Sequence, residues 1–497
     1  MIKVDSNDHL DPGQELTLEI IKSRAVRGVA ALTSRTIILQ IINRAGDFLL
    51  TIFLGVAQYG VFWIVSAVIN FLAYFSDIGL GAALIQKKEK VTEEELRATF
   101  TIQQILVLSI LLILFLITPL LQRFYHLSNE AVWLLYSLGF SFFLSSLKTI
   151  PSILLERKID FAKLIIPQIG EVIIFNLVAV YFAWNGSGIW AFTYAVLARG
   201  LVGLSLMYLV SPWKPGLSFS FGSVKSLFRF GIPYQANTFL AVIKDDGMSI
   251  VLGGILGATG MGLLGWAQRW AYAPLRFFMD QVIKVSFPAL SRIQDDKAEL
   301  SKILSRSIFF ISFLVFPFSI GLITVTPMLI EIIPKYDKWQ PALIALALIS
   351  VNTFWAAVTT PLTNMLSATS RIGTTFKLMI MWTILSWILI PALSISFGVN
   401  GAALGYALVG FSSIIAIIIA KRVVSVDLWA NAGKPFLGAL IMGVVIYFVR
   451  GILPSSFASV FILMILGALT YILAAFLLVG KSLITDSKKI ISRLGIK

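Results

Sequence analysis

The sequence predicts an all-α polytopic membrane protein of about fourteen transmembrane helices, arranged as two pseudo-symmetric six-helix lobes plus a C-terminal helix pair. Three observations carry that prediction. The 497 residues are 58% apolar and only 13% charged, with a mean hydropathy of +0.89, whereas a soluble domain is roughly half apolar and about a quarter charged. Apolar stretches close to the roughly 20 residues that cross a bilayer follow one another along the chain. Lysine and arginine fall almost entirely on alternate connections between those stretches.

The elements follow in order. Residues 1–27 carry acids and lack the basic flank, apolar core and small-residue cleavage site of a signal peptide, so they read as a cytoplasmic tail. Spans near 28–54, 58–80, 98–120, 131–150, 161–183 and 189–211 form a first lobe, 28–211. Thr92 and Glu95 fit a capping box that opens the third helix. Residues 212–228 are a cytoplasmic linker. A second lobe, 229–420, repeats the count near 229–256, 260–286, 303–330, 339–366, 374–396 and 399–420. A last pair spans 434–452 and 457–480, within 434–480, and 481–497 is a second cytoplasmic tail.

Charge tests this layout. With both termini inside, inner segments hold about 28 of the 40 Lys and Arg and outer loops about four, Arg123, Lys335, Lys338 and Arg450. A helix missed or invented mid-chain would invert every later loop and erase that asymmetry. The span count is therefore expected to be even.

The chain also matches itself. A shift of about 202 residues lays Leu54-Gly55 on Leu256-Gly257, at the tight outer turn joining a first and second helix. A shift near 210 lays Thr149-Ile150-Pro151 on Thr359-Thr360-Pro361, each proline placed to kink a fourth helix. Gly186-Ser187-Gly188-Ile189 falls on Val399-Asn400-Gly401-Ala402, opening the sixth helix of each half. Copies of six helices keep one orientation, so the repeats are parallel, and a cavity between two lobes is the path such a plan implies.

Ionisable residues deep in an apolar helix are costly, roughly 2.5–3.5 kcal/mol each at its centre, so they face one another or a wet cavity. Candidates for holding an anion are Arg44, Arg199, Lys244, Arg269 and Arg276; Arg199 and Arg269 have no acid within a turn on their own helices. Asp47, Glu171, Asp245 and Asp246 are candidate sites for coupling to H+ or Na+. Lys148 sits toward the inner end of the fourth span. The competing reading is internal pairing, with Arg44 and Asp47 at i,i+3 and Asp280 at i,i+4 from both Arg276 and Lys284. Trp266, Trp270 and Trp355 are placed to stack on a sugar or simply to pack, whereas Trp184, Trp190, Trp213 and Trp339 lie at span ends where an interfacial belt is expected.

Other classes fall away. The net charge of +15 lies in short loops rather than on a solvated face, which argues against nucleic acid. The absence of cysteine removes disulfides and thiolate sites. His9 and His126 are far apart, no catalytic constellation is visible, and no metal or other cofactor is implied. Gly480-Lys481-Ser482 lacks the upstream glycine of a phosphate loop, since position 475 is alanine. The GxxxG spacings Gly253 to Gly257 and Gly401 to Gly405 read as close helix packing.

Ala57-Gln58-Tyr59-Gly60-Val61-Phe62, Ser76-Asp77-Ile78-Gly79-Leu80, Ala83-Leu84-Ile85-Gln86-Lys87-Lys88 and Pro151-Ser152-Ile153-Leu154-Leu155-Glu156-Arg157-Lys158-Ile159-Asp160-Phe161 carry a family resemblance. Over residues 16–480 the chain resembles the polysaccharide transport (Wzx-like) flippases of the multidrug/oligosaccharidyl-lipid/polysaccharide exporter superfamily. The resemblance implies a MATE-like fold in a bacterial plasma membrane. It implies translocation of an undecaprenyl-diphosphate-linked oligosaccharide by alternating access, among membrane lipids and alongside a polysaccharide polymerase and glycosyltransferases. An ion-coupled drug or cation antiporter of the same superfamily is the alternative, although the excess of deep cations disfavours cationic cargo. A membrane polymerase or ligase is a further one, disfavoured by outer connections too short for a catalytic loop.

Overall fold

The computed structural model describes residues 36, 38–76, 79–87, 89–219, 239–294 and 296–480. The expected tails, most of the linker and the start of the seventh span lie outside those residues. Among the described residues every regular element is helical. Packing divides the chain into two compact units, residues 1–254 and 255–497. The sequence expectation put the division at 212–228, whereas the described residues 239–254 fall in the first unit.

In the first unit, α1 (38–53) meets α7 (Phe161–Trp184) where glycine removes the side chain. A Cβ on Gly46 would lie 1.7 Å from Asn176 Oδ1, and the Asn176 amide donates to Asn43 Oδ1 at 3.3 Å. Such small-residue and amide contacts hold helices together where lipid supplies no hydrophobic drive. Helix α2 (Val56–Ala73) is followed by a short α3 (Leu80–Gln86) and the long α4 (Glu93–Tyr125). The Thr92–Glu95 capping box is present: Glu95 N–H donates to Thr92 Oγ1 at 3.2 Å and Thr92 N–H to Glu95 Oε2 at 3.0 Å.

Helix α5 (Asn129–Leu147) ends at Lys148, and α6 (Thr149–Arg157) begins immediately after it. Proline cannot donate to the carbonyl four residues back and its ring crowds that oxygen. For Pro151 that oxygen belongs to Leu147, the last residue of α5, and the Tyr208 hydroxyl of α8 (Trp190–Val210) takes its place as donor at 3.0 Å. The kink expected of the repeat is here a full break. Its counterpart Pro361 leaves α12 (Leu343–Ala368) continuous.

Eleven helices among the described residues are long and apolar enough to cross a membrane. Two of these are too long for one crossing: 42 residues (Phe239–Asp280) and 50 residues (Ile372–Lys421) would measure about 63 and 75 Å, against a hydrocarbon core of about 30 Å. The first contains α9 (Met248–Ala271), interrupted at Gly257 with φ 63°. The second contains α13 (Ile372–Phe411), interrupted at Gly398 with φ 58° and followed by α14 (Ile414–Lys421). At Gly398 the chain doubles back, because Gly401 would put a Cβ 1.9 Å from Leu393 O and Gly405 one 2.8 Å from Ile390 Cα. Residues so far apart in sequence touch only in a hairpin.

The positive-φ glycine of the second half is therefore not one that the sequence alignment pairs with Gly186 or Gly188. Gly186 and Gly188, at φ 78° and 58°, make the turn of the first half, but in the second half Gly398 makes it and Gly401 serves close packing. Gly257 likewise turns the chain rather than packing it, and a Cβ there would meet nothing.

In the second unit α10 (Ala273–Arg292), α11 (Lys297–Ile332) and α12 share a core that includes Ile308, Val315 and Met365. The trailing pair, α15 (Lys434–Arg450) and α16 (Phe457–Val479), docks on α11 through a Tyr471 hydroxyl donating to Phe313 O at 2.8 Å and Arg450 donating to Thr324 O at 2.8 Å. Leu120 is 69% and Leu477 73% exposed, surfaces that need lipid rather than water against them.

Candidate functional site

Three helices of the first unit bring together the charges that the sequence scattered. The break at Lys148 turns its side chain to Glu171 of α7, whose Oε1 accepts from the lysine ammonium. The other carboxylate oxygen, Oε2, lies 3.6 Å from Arg199 Nε on α8. Glu171 fits because α8 presents Gly203 to it; a Cβ there would fall 2.2 Å from Oε1. Arg199, with no acid on its own helix, thus finds one on the next, and its side chain remains 52% exposed.

Around this cluster Gln103 donates to Thr149 Oγ1 at 3.0 Å, and Ser146 donates to Gln104 Oε1 at 3.2 Å. Gln103 Oε1 and Gln104 Nε2 are buried and without a hydrogen-bond partner among the described residues. The sequence singled out Lys148, Glu171 and Arg199, but not the glutamines and serine around them. Glutamines and serines on apolar helices give no pattern of their own.

The remaining candidates of the first unit lie on other helices. Asp47 is buried and Arg44 half-buried on α1, and both have partners. Lys244 pairs with its neighbour Asp245 at 2.8 Å on a π-helical turn, Ile243–Gly247, and Asp246 hydrogen-bonds Asn70 of α2. A π turn opens the regular ladder, a distortion common at functional positions.

In the second unit Arg269 is half-buried and partnered, while Arg276 is exposed. No ion pair joins Arg276 to Asp280 among the described residues, and the side chain of Lys284 lies outside them. Trp266 is 1% exposed, stacked on Trp339 at 5.4 Å and 10°, with its N–H on the Tyr336 hydroxyl at 3.2 Å. Packing, not sugar stacking, is its role, because a ring buried on all sides offers no face to a sugar. Trp339 and Trp213 are buried too, so of the four tryptophans expected in an interfacial belt these two belong to the core; Trp184 is exposed at the end of α7. Trp270 and Trp355 are half-buried, Trp355 beside Phe411 at 5.4 Å. Two cavities of the second unit, about 290 Å³ at Glu331, Lys335, Asp337 and Gln340 and about 500 Å³ at Leu256, Ser394 and Val399, touch none of these charges.

Two of the segments that carry the family resemblance meet in a latch. Arg157 donates to the carbonyls of Leu84, Lys87 (2.8 Å) and Glu89 (3.1 Å), closing the end of α3. Lys87 in turn reaches Glu95 at 2.5 Å. Burial pulls the Arg157 guanidinium below its usual value, with Glu95 opposing.

Residues 49–344 match the family described as polysaccharide biosynthesis protein, more than half of the chain. The chain belongs to that family. It is 24% identical over 364 residues to the lipopolysaccharide biosynthesis protein WzxC of Escherichia coli K12, covering 71% of each chain. It is 26% identical over 307 residues to the succinoglycan biosynthesis transport protein ExoT of Rhizobium meliloti, covering 59% of this chain and 60% of the other. Among solved structures, the lipid II flippase MurJ in an inward closed conformation superposes with a TM-score of 0.72 at 16% identity, over 90% of this chain and 98% of that one. An inward-facing multidrug resistance MATE transporter superposes with a TM-score of 0.57 at 15% identity, over 80% and 98%. This member of the family is thus a multi-pass membrane protein with the fold of flippases and MATE transporters.

Proposed function

We propose that the chain is a flippase translocating an undecaprenyl-diphosphate-linked oligosaccharide, a polysaccharide or O-antigen repeat unit, across the bacterial plasma membrane by alternating access. The supporting observation is Arg199, a half-exposed guanidinium inside an apolar helix of a polysaccharide biosynthesis protein. A diphosphate crossing a low-dielectric core needs fixed cations along its route. Arg44, Lys244, Arg269 and Arg276 extend that cationic set, and Trp270 and Trp355 remain available to a sugar.

The proposal includes fourteen spans with both termini in the cytoplasm: the eleven long helices, the reversals at Gly257 and Gly398, and α1. Asp47, Glu171, Asp245 and Asp246 are the acids at which H+ or Na+ would couple to transport. Glycosyltransferases would supply the cargo and a polymerase would consume it.

The test is reconstitution. Purified protein in vesicles should move a fluorescent polyprenyl-diphosphate oligosaccharide between leaflets, measured with and without an imposed proton or sodium gradient. No movement by a verified folded sample sinks the proposal. Gradient-driven export of cationic drugs in its place would establish the antiporter reading.

A further inference from the structure

Glu171 holds two cations, and it holds them unequally. Lys148 lies in close contact with Oε1, and both side chains are shielded, at 17% and 11% exposure. Arg199 stands 3.6 Å from Oε2 with 52% of its side chain exposed. That distance is well beyond the roughly 2.7–2.9 Å of a full charge-assisted hydrogen bond.

We propose that Lys148 is a positioning residue: by occupying Glu171, it keeps the carboxylate from capturing Arg199, so that Arg199 can transfer from the carboxylate to the diphosphate of the cargo. The proposal rests on the flippase reading above. A carboxylate in an apolar helix needs a cation at all times, and with Lys148 in place Arg199 leaves without stranding it. Glu171 is seated against α8 where Gly203 leaves room for it, so its carboxylate is already placed on the lysine side. The lysine is directed by the backbone. The break that directs it is fixed by Pro151 and by the Tyr208 hydroxyl on Leu147 O.

The arrangement predicts a dependence between two substitutions. In the otherwise native protein, Lys148→Met leaves Glu171 only Arg199, which moves into a full pair and is lost to the anion. Once Glu171→Gln has removed the carboxylate, Lys148 has nothing to occupy, and its loss has no route to Arg199.

The experiment measures binding of inorganic pyrophosphate to the full-length protein in detergent, each variant first shown folded by thermal unfolding. Lys148→Met should weaken binding by at least about fivefold in the native background and by less than about twofold in the Glu171→Gln background. Lys148→Arg, which keeps the charge, should bind like the native protein. If Lys148→Met does not fold, Lys148→Gln takes its place. An equal loss in both backgrounds would mean that Lys148 touches the anion or acts only through net charge, and it overturns the positioning role. Failure of the folded native protein to bind pyrophosphate overturns the anion site itself, and this proposal with it.

Discussion

Replacing Gly401 by alanine sets a methyl carbon 1.9 Å from the carbonyl oxygen of Leu393 and 2.9 Å from Phe397 Cβ. A carbon and an oxygen that are not bonded approach to about 3.3 Å at best, so the arms of the α13 hairpin must part by more than an ångström. The obstacle is backbone, which has no rotamer to yield. Overpacking commonly costs about 1–3 kcal/mol and more when the backbone must move, so Gly401→Ala should cost at least about 3 kcal/mol. Two other glycines of α13 calibrate that figure. Gly398→Ala meets no atom but must hold φ 58° and ψ −136°, a conformation worth about 1–3 kcal/mol of strain for a residue with a Cβ. Gly373→Ala meets no atom and has ordinary helical backbone, so it should gain about 0.5–1 kcal/mol. The assay is thermal unfolding of the three variants in one detergent. A Gly401→Ala protein as stable as Gly373→Ala would refute the hairpin, and with it the second crossing that α13 supplies.

In the vesicle assay Arg199→Ala or Arg269→Ala should reduce oligosaccharide translocation more than Arg123→Ala, whose side chain is exposed at the end of α4; equal losses would count against a cationic route. Trp266→Ala should lower stability by about 2 kcal/mol or more from the lost ring stack and hydrogen bond, while cargo preference stays unchanged in whatever fraction is folded; a changed sugar preference would show that Trp266 meets the cargo after all. Burial raises the Glu156 carboxyl above its ordinary value, with the Ser152 hydrogen bond opposing. The folded state therefore holds this proton more tightly than the unfolded one, and stability from it is complete below the unfolded value and lost as pH rises through the folded one. Glu156→Gln should accordingly be the more stable protein at neutral pH and lose that advantage in acid; a difference independent of pH would contradict it.

Local features were the legible ones. The apolar stretches, the capping box at Thr92 and Glu95, and the glycine turn at Gly186 to Gly188 each depend on residues a few positions apart, whose physics the sequence states directly. The break at Lys148 was half legible: Pro151 announced a kink, but how far it opened depended on Tyr208, 57 positions on, donating to the carbonyl that proline had orphaned. Gly398 and Gly401 are distinguished only by the fold. Both are glycines near a turn, and only the reversed backbone reveals which of them needs the positive φ and which the missing side chain.

By itself the sequence determined that this protein lives in a bilayer as a bundle of helices, because length and hydropathy act along the chain. It also fixed the charges that the bilayer must accommodate. Their partners were another matter. Arg199 looked unopposed on its own helix, Trp266 was open to stacking or packing, and Trp339 looked like an interfacial aromatic. Packing of α7 on α8 gave Arg199 a carboxylate, and Tyr336 and the facing rings closed around the two tryptophans. Pairing between helices is a property of distance in space, and one-dimensional spacing carries no record of which faces will meet.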